Sequence, residues 1–144
     1  MIVEYEFTIF IEPCLVSTYL STLEVTDISY NIGAPEILGV GSYIFVEDPV
    51  CGYPETVTLT NLPIFVLHNS LTSDDFTVPY TNDLELIGSY VVTIKSEICV
   101  PNDYTQGACT VMLSEHDFTV FMEPCLVTNY DATTVVDVIL YNVN

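Results

Sequence analysis

Basic side chains are almost absent from this chain. Its 144 residues include one lysine, Lys95, and no arginine, against 20 aspartates and glutamates, so the net charge is −19 at pH 7. A surface of this charge repels phosphate groups, which excludes nucleic acids and anionic membranes as partners. The acidity has three readings: it keeps an apolar β-protein soluble, it binds divalent cations, or it suits an acidic or saline setting.

Sequence signatures of several common protein classes are also missing. No apolar run approaches the roughly 18 residues that a membrane-spanning helix needs, and the N-terminus lacks the basic region and apolar core of a signal peptide. C-x-x-C pairs are absent, so zinc-ribbon and thioredoxin-type sites have no support. N-glycosylation sequons are absent too, whereas stretches rich in threonine and serine leave O-linked glycans open as partners.

What the chain has instead is an internal repeat. Residues 7–16 read FTIFIEPCLV, and 111 positions later residues 118–127 read FTVFMEPCLV. The match continues without a gap as far as residues 30–31 and 141–142, which are both Tyr-Asn. A period of this size corresponds to one whole domain rather than to the rung of a solenoid.

The repeat also predicts the domain boundaries. Glu-Pro-Cys at residues 12–14 and 123–125 ends an alternating apolar segment each time, and proline cannot continue a central strand. We expect residues 15–123 to form one complete unit. Residues 1–14 are then the last strand of a preceding repeat with its junction, and residues 124–144 a junction with the first strands of a following repeat. The apolar residues of the two junction strands are Phe7, Ile9, Ile11, Phe118, Val120 and Met122.

Five cysteines are many for this length, and the repeat predicts how they pair. Cys14 and Cys125 occupy the same repeat position. We therefore expect Cys14 to pair with Cys51, Cys99 with Cys109, and Cys125 with the counterpart of Cys51 in a following repeat. The alternatives are a free thiol, an intermolecular bridge, or five reduced cysteines in a cytosolic protein. Disulfides are typical of oxidising compartments, so the favoured location is extracellular or at the cell surface.

Alternation of apolar and polar residues predicts strands along most of the chain. The predicted strands are residues 5–11, 22–32, 37–47, 56–60, 64–68, 75–79, 86–98, 108–113 and 117–123. Gly39 and Gly41 indicate a bulge or a crossing point within the third of them. Many short strands separated by turn-forming residues predict an all-β, antiparallel sandwich.

Two segments carry a resemblance to a known family. Residues 86–94, LIGSYVVTI, resemble the penultimate strand of immunoglobulin-like and cadherin-like repeats, in which a glycine lies two residues before a tyrosine. Residues 117–122, DFTVFM, resemble the last strand. Leu86 and Val92 stand where antibody-type domains have Asp and Cys, and there is no tryptophan, so those domains are excluded. The remaining resemblance is to tandem Ig-like repeats of large extracellular surface or fibre-forming proteins, which implies an Ig-like sandwich whose terminal strands are shared with neighbouring repeats.

Candidate site residues are few. His68 and His116 are the only histidines, and no nucleophile pattern accompanies them, so we read both as surface or turn residues and expect no enzyme. Calcium takes carboxylate and carbonyl oxygens, which makes acidic pairs in predicted loops weak candidates for a metal site, with solvated loop acids as the alternative. These candidates are Glu47, Asp48, Asp74 and Asp75. No cofactor other than calcium is expected.

The sequence therefore predicts a structural repeat or subunit of an extracellular filament or surface coat. Assembly would be head to tail, through β-strand complementation and disulfides, with copies of the chain or adjacent repeats as partners. The alternative is an adhesin-like module that binds calcium or carbohydrate.

Overall fold

Nine β-strands and no α-helix form the part of the chain that this computed structural model describes, residues 4–9, 11–70, 74–102 and 108–126. The strands are β1 Thr18–Leu23, β2 Ile28–Asn31, β3 Ile37–Val40, β4 Ile44–Asp48, β5 Glu55–Thr60, β6 Leu67–His68, β7 Phe76–Val78, β8 Gly88–Pro101 and β9 Cys109–Glu123. One 3-10 turn, Leu84–Leu86, precedes β8. No helix in these ranges has the length and apolar character needed to cross a membrane.

A four-stranded sheet in the order β2-β9-β8-β5 is the larger layer of the structure. Its centre is the antiparallel β8–β9 hairpin, paired from Gly88 and Met122 to Pro101 and Cys109. The short strand β2 runs parallel to the last residues of β9, while β5 is antiparallel to β8. With 15 residues at about 3.4 Å each, β9 is roughly 50 Å long, which sets the long dimension of the unit.

Two smaller sheets, β1-β4 and β3-β7-β6, cover the inner face of the large sheet. The first lies over the half nearer the hairpin turn, where the Tyr19 hydroxyl contacts Ser96 and the backbone N–H of Ser21 donates to Ser114 Oγ at 3.1 Å. The second lies over the other half, where the rings of Phe76 and Phe118 are 4.9 Å apart. The all-β prediction is confirmed, and the packing of these sheets is compatible with a β-sandwich.

The strand boundaries differ from the alternation pattern at several places. The predicted strand 37–47 is divided into β3 and β4, because Gly41 has a φ of +63° and a Cβ there would clash with the Val25 side chain. The predicted strand 22–32 is likewise interrupted between β1 and β2, whereas 108–113 and 117–123 belong to the single strand β9. Alternation marks which residues face the core, but it does not show where a strand changes sheets.

The predicted strand at residues 5–11 is not formed in the described ranges, residues 4–9 and 11–12. The repeat explains why. Its counterpart at the end of β9 lies between β2 and β8, and both of those neighbours are already paired with β9. A second copy of that strand therefore has no position in this unit. The predicted first strands of a following repeat fall on residues 127–144, outside the described part of the chain.

Burial separates the two copies of the junction strand completely. Phe7, Ile9 and Ile11 are 71–83% exposed, and the neighbouring Tyr5 is 86% exposed. Their counterparts Phe118, Val120 and Met122 are 2% exposed or less. The same apolar pattern therefore forms core in one place and solvent-facing surface in the other.

Replacing the repeat-equivalent phenylalanines one at a time tests this difference. We expect Phe118→Ala to lower the free energy of unfolding by about 3–5 kcal/mol, because it leaves a cavity beside Phe76. We expect Phe7→Ala to change it by less than about 0.5 kcal/mol, since an exposed side chain loses little on truncation. Urea unfolding followed by circular dichroism measures both, and similar losses in the two variants would contradict the assignment.

Candidate functional site

The features that distinguish this molecule lie at the linker that enters the unit, residues 13–17, and at the segment that follows β9, residues 123–126. These two segments are at opposite ends of the four-stranded sheet. Leu15 and Val16 line a cavity of about 290 Å³ together with Val100 and Pro101, beside the turn of the β8–β9 hairpin. The chain leaves at Glu123, whose carbonyl oxygen accepts a hydrogen bond from the backbone N–H of Ile32 at 2.8 Å. Units placed in series through these ends would extend along the strands.

The incoming linker is fastened to the loop between β4 and β5. Cys14 is joined to Cys51 by a disulfide, with 5.6 Å between their Cα atoms. The Tyr53 hydroxyl donates to the Cys14 carbonyl oxygen at 2.6 Å, and the backbone N–H of Ser17 donates to the Asp48 carbonyl oxygen at 2.8 Å. The Ser17 hydroxyl donates to the same oxygen at 2.7 Å, so one covalent bond and three hydrogen bonds fix the direction in which the chain enters the sandwich.

Glu47 shapes the loop that receives the linker, residues 47–53, which we call the socket loop. Its carboxylate accepts three backbone hydrogen bonds, from Cys51 at 2.7 Å, Gly52 at 2.6 Å and Tyr53 at 2.9 Å. Gly52 has a φ of +76°, a conformation that glycine adopts without steric cost. Burial of the Glu47 carboxyl raises its pKa, but the N–H groups of Gly52, Cys51 and Tyr53 together outweigh burial and hold the pKa below its ordinary value.

The outgoing linker repeats the sequence of the incoming one without its contacts. Pro124, Cys125 and Leu126 follow β9 and line a cavity of about 440 Å³ with Asn31 and Glu123. Cys125 is exposed and forms no disulfide, and Leu126 is 80% exposed. The exposed thiol agrees with the free-thiol alternative, although the bridge predicted to a following repeat involves a residue outside this chain.

The second disulfide joins Cys99 to Cys109 near the turn of the β8–β9 hairpin. A backbone hydrogen bond from Asn102 to Ala108 lies just beyond it. Both disulfides in the described residues thus lie at the N-terminal end of the unit. Two disulfides indicate an oxidising environment outside the cytoplasm.

The acidic residues proposed as calcium ligands are not brought together. Glu47 is buried and occupied by the socket loop, and Asp48 ends β4 with its side chain exposed. Asp74 lies 3.9 Å from His68, and Asp75 accepts from the Asn69 side chain at 2.7 Å. Across residues 4–9, 11–70, 74–102 and 108–126, no group of three His, Cys, Asp or Glu side chains is placed to hold a metal ion.

Both histidines lie in strands and not, as the sequence suggested, at the surface or in turns. The ring of His68 in β6 stacks on Tyr43, whose hydroxyl lies 3.0 Å from its Nε2 atom. The half-buried His116 in β9 accepts a hydrogen bond at Nε2 from the backbone N–H of Val25, so its ring is neutral. Burial lowers the pKa of His116, against the opposing effect of the Glu24 and Asp117 carboxylates. The sequence signal that could have placed both histidines in strands is their inward-facing position in the alternating pattern.

A buried polar chain links the two layers, and sequence reasoning did not find it. Ser96 is fully buried, and its hydroxyl donates to Glu55 Oε1 at 2.8 Å. Because that proton is used, the Tyr19 hydroxyl donates to Ser96 at 2.5 Å. Burial raises the pKa of Tyr19, which keeps its phenol protonated as a donor. The available signal was Ser96 itself, a polar residue at an inward position between Ile94 and Ile98.

Comparison of the chain with models of protein families, with curated proteins and with solved structures finds no match.

Glu47→Gln is the variant that tests the socket loop. Since the folded pKa lies below the unfolded one, the carboxylate stabilises the fold fully above about pH 4.5, and this contribution is lost as the pH falls through the folded pKa. We expect Glu47→Gln to lower the Tm at pH 7 and the difference from the unmodified protein to shrink at pH 3. Thermal unfolding at both values measures it, with the exposed Glu36→Gln as matched control. Equal effects of the two substitutions would contradict the role of Glu47.

Proposed function

We propose that this chain is a structural repeat of an extracellular filament or surface coat, assembled head to tail through β-strand complementation and disulfides. The adjacent repeats, or further copies of the chain, are its partners. The observation that carries the proposal is the junction strand, which occurs twice in the sequence and is buried once.

The exposed copy fits a preceding unit rather than this one. Phe7, Ile9 and Ile11 have the spacing of Phe118, Val120 and Met122, which are buried near the end of β9, where β9 pairs with both β2 and β8. An identical unit with its own β9 in place has no room for them there. Complementation therefore takes the form of chain continuity: residues 4–12 are the last strand of a preceding repeat, and the chain passes through Pro13 and Cys14 into the next.

The position of the chain ends supports assembly in series. The incoming linker is held beside the hairpin turn, and the outgoing one leaves about 50 Å away along β9. Head-to-tail contacts generate filaments when the rotation from one unit to the next does not close a ring. The disulfide between Cys14 and Cys51 ties each linker to the unit that follows it.

The finer assignment of the fold as Ig-like rests on strand order and one tyrosine. The orders β3-β7-β6 and β5-β8-β9 are those of strands B-E-D and C-F-G in an immunoglobulin-type sandwich. The Tyr90 hydroxyl donates to the Leu86 carbonyl oxygen at 2.9 Å, near the start of β8, in the arrangement called a tyrosine corner. Tandem extracellular repeats of this class would use the same scaffold for length.

An adhesin-like binding module is the second candidate. One observation favours it: a cavity of about 320 Å³ beside β4 that is lined by aromatic and carboxylate groups, including Tyr43, Glu55 and Asp74. Such a lining suits a cation or a sugar.

Chelation separates the two candidates. If the chain is a structural repeat, we expect its Tm to be the same in excess EDTA and in millimolar calcium, because nothing in the fold would depend on a bound ion. A calcium-binding adhesin would instead gain stability with calcium concentration. Differential scanning calorimetry measures the shift, and a Tm raised by several degrees in calcium would favour the second candidate.

A two-unit chain tests the filament geometry. Joining residue 123 to residue 13 of a second copy recreates the Glu-Pro-Cys-Leu junction without a foreign residue. We expect a rod roughly 100 Å long, twice the single unit, because each junction is fixed by its disulfide and socket loop. Small-angle X-ray scattering measures the maximum dimension.

The control for this measurement carries a ten-residue Gly/Ser insert at the junction and should show a broad spread of distances. A compact two-unit particle, or one indistinguishable from the control, would refute a rigid head-to-tail junction. In native material, negative-stain electron microscopy is expected to show unbranched filaments, and dispersed globular particles would count against the proposal.

A further inference from the structure

The socket loop is preorganised by its own residues. The Glu47 carboxylate holds the backbone N–H groups of Cys51, Gly52 and Tyr53, and none of these contacts involves the linker. The loop therefore presents the Cys51 sulfur and the Tyr53 hydroxyl whichever linker lies against it. The loop contacts Cys14 at its sulfur and its carbonyl oxygen, and the Asp48 carbonyl oxygen accepts hydrogen bonds from Ser17.

The segment that fits this loop occurs twice in the chain. Residues 12–16 and residues 123–127 both read EPCLV. The first copy occupies the socket loop through Cys14, whereas Cys125 in the second is exposed and unbonded at the opposite end of the unit. The identical sequence of the segment and the exposure of Cys125 and Leu126 together mark it as a second ligand for the same loop.

We propose that Cys125 of one copy bonds to Cys51 in the socket loop of a second copy, taking the place of Cys14. This inference rests on the proposed head-to-tail assembly and names its partner and its chemistry. Each bond of this kind joins the C-terminal end of one unit to the N-terminal end of the next. Because each unit has one socket loop and one exposed Cys125, repeated bonding gives a covalent chain of units.

The reaction is a thiol–disulfide exchange and needs no oxidant. The Cys125 thiolate attacks the Cys51 sulfur, the bond from Cys51 to Cys125 forms, and the bond from Cys51 to Cys14 breaks. The electron pair leaves on Cys14, which takes up the proton that Cys125 gave to solvent. One thiol and one disulfide are present before and after the step, so atoms and electrons balance.

Displacing the first linker costs little buried surface. Within this unit, residues 4–9 and 11–12 are exposed and outside any strand, so the release of Cys14 removes none of their packing against it. The Glu47 hydrogen bonds remain, and the Tyr53 hydroxyl can donate to the carbonyl oxygen of Cys125 as it does to that of Cys14. The opposing effect is repulsion between two chains of charge −19, which salt screens.

Mapping the cross-links of the full chain tests the proposal. Oxidised protein with Cys125 reduced is concentrated at pH 8 in about 0.5 M NaCl under argon with EDTA, to exclude oxidation by air and to screen charge. After acid quench, free thiols are alkylated, and the protein is digested with pepsin, because its single lysine makes trypsin uninformative. Non-reducing electrophoresis and mass spectrometry then report the products.

The expected product is a ladder at multiples of 16.0 kDa in which Cys125 is joined to Cys51 and Cys14 is alkylated. Cys125→Ser should reduce the ladder more than tenfold, and it should do so without lowering the Tm, since the side chain is exposed. The same exchange carried out in urea is the control, because in the unfolded chain Cys125 is expected to react with Cys99 and Cys109 as well as with Cys51.

Three results would overturn the inference. They are cross-links mainly between two Cys125 residues, equal reaction with Cys99 or Cys109 in the native protein, and a monomer whose Cys125 still reacts with a small disulfide reagent. Because the rod of the two-unit chain has its disulfides within each unit, its scattering is independent of this exchange. A rod without a ladder removes only the exchange, whereas a compact two-unit particle removes the proposed assembly.

Discussion

The C-terminal end of β9 has a neighbouring strand on both sides, and the other features follow from this pairing. Residues 120–123 run parallel to β2, residues 109–122 run antiparallel to β8, and the inward side chains near this end of β9 complete the core beside Phe76. This parallel pairing joins β2, near the start of the unit, to β9, which ends it, so it connects residues that are far apart in the sequence. The same pairing leaves no site for residues 4–12, and it directs Glu123 out of the end opposite the socket loop.

Much of the fold was legible in the sequence, because alternation reports burial directly. In the predicted strand 86–98, the apolar residues Val92, Ile94 and Ile98 stand at alternating positions and are buried, and the repeat indicated the cysteine pairs. Strand limits were legible only in part: Gly39 and Gly41 marked the division between β3 and β4, whereas no glycine or proline marks the break between β1 and β2. The role of Glu47 was missed for a similar reason: a carboxylate that binds three N–H groups is indistinguishable in sequence from one that binds a cation.

Electrostatics in this unit are arranged with almost no cations. The single lysine, Lys95, pairs with Glu97 at 2.7 Å on the outer face of β8, a half-exposed contact that contributes little. Carboxylates are stabilised instead by backbone and hydroxyl donors, as at Glu47 and at Glu55. His116 adds no positive charge, because its lowered pKa favours the neutral ring. As the pH falls below about 6.5, His116 binds a proton more readily in the unfolded chain than in the folded one. The contribution of His116 to the stability of the fold is therefore lost as the pH decreases.

Under tension the two disulfides would limit how far an unfolding unit can extend. A pull applied between Cys14 and Glu123 reaches Cys51 through the first bridge, so the residues enclosed by its sequence separation of 37, including β1 to β4, bear no load. The second bridge likewise keeps the segment between Cys99 and Cys109, a sequence separation of 10, from extending. An unfolding unit would thus release only a little more than half of its contour length. Reduction of both disulfides would release the remaining contour length, which couples the extensibility of a chain of such units to the redox state of its surroundings.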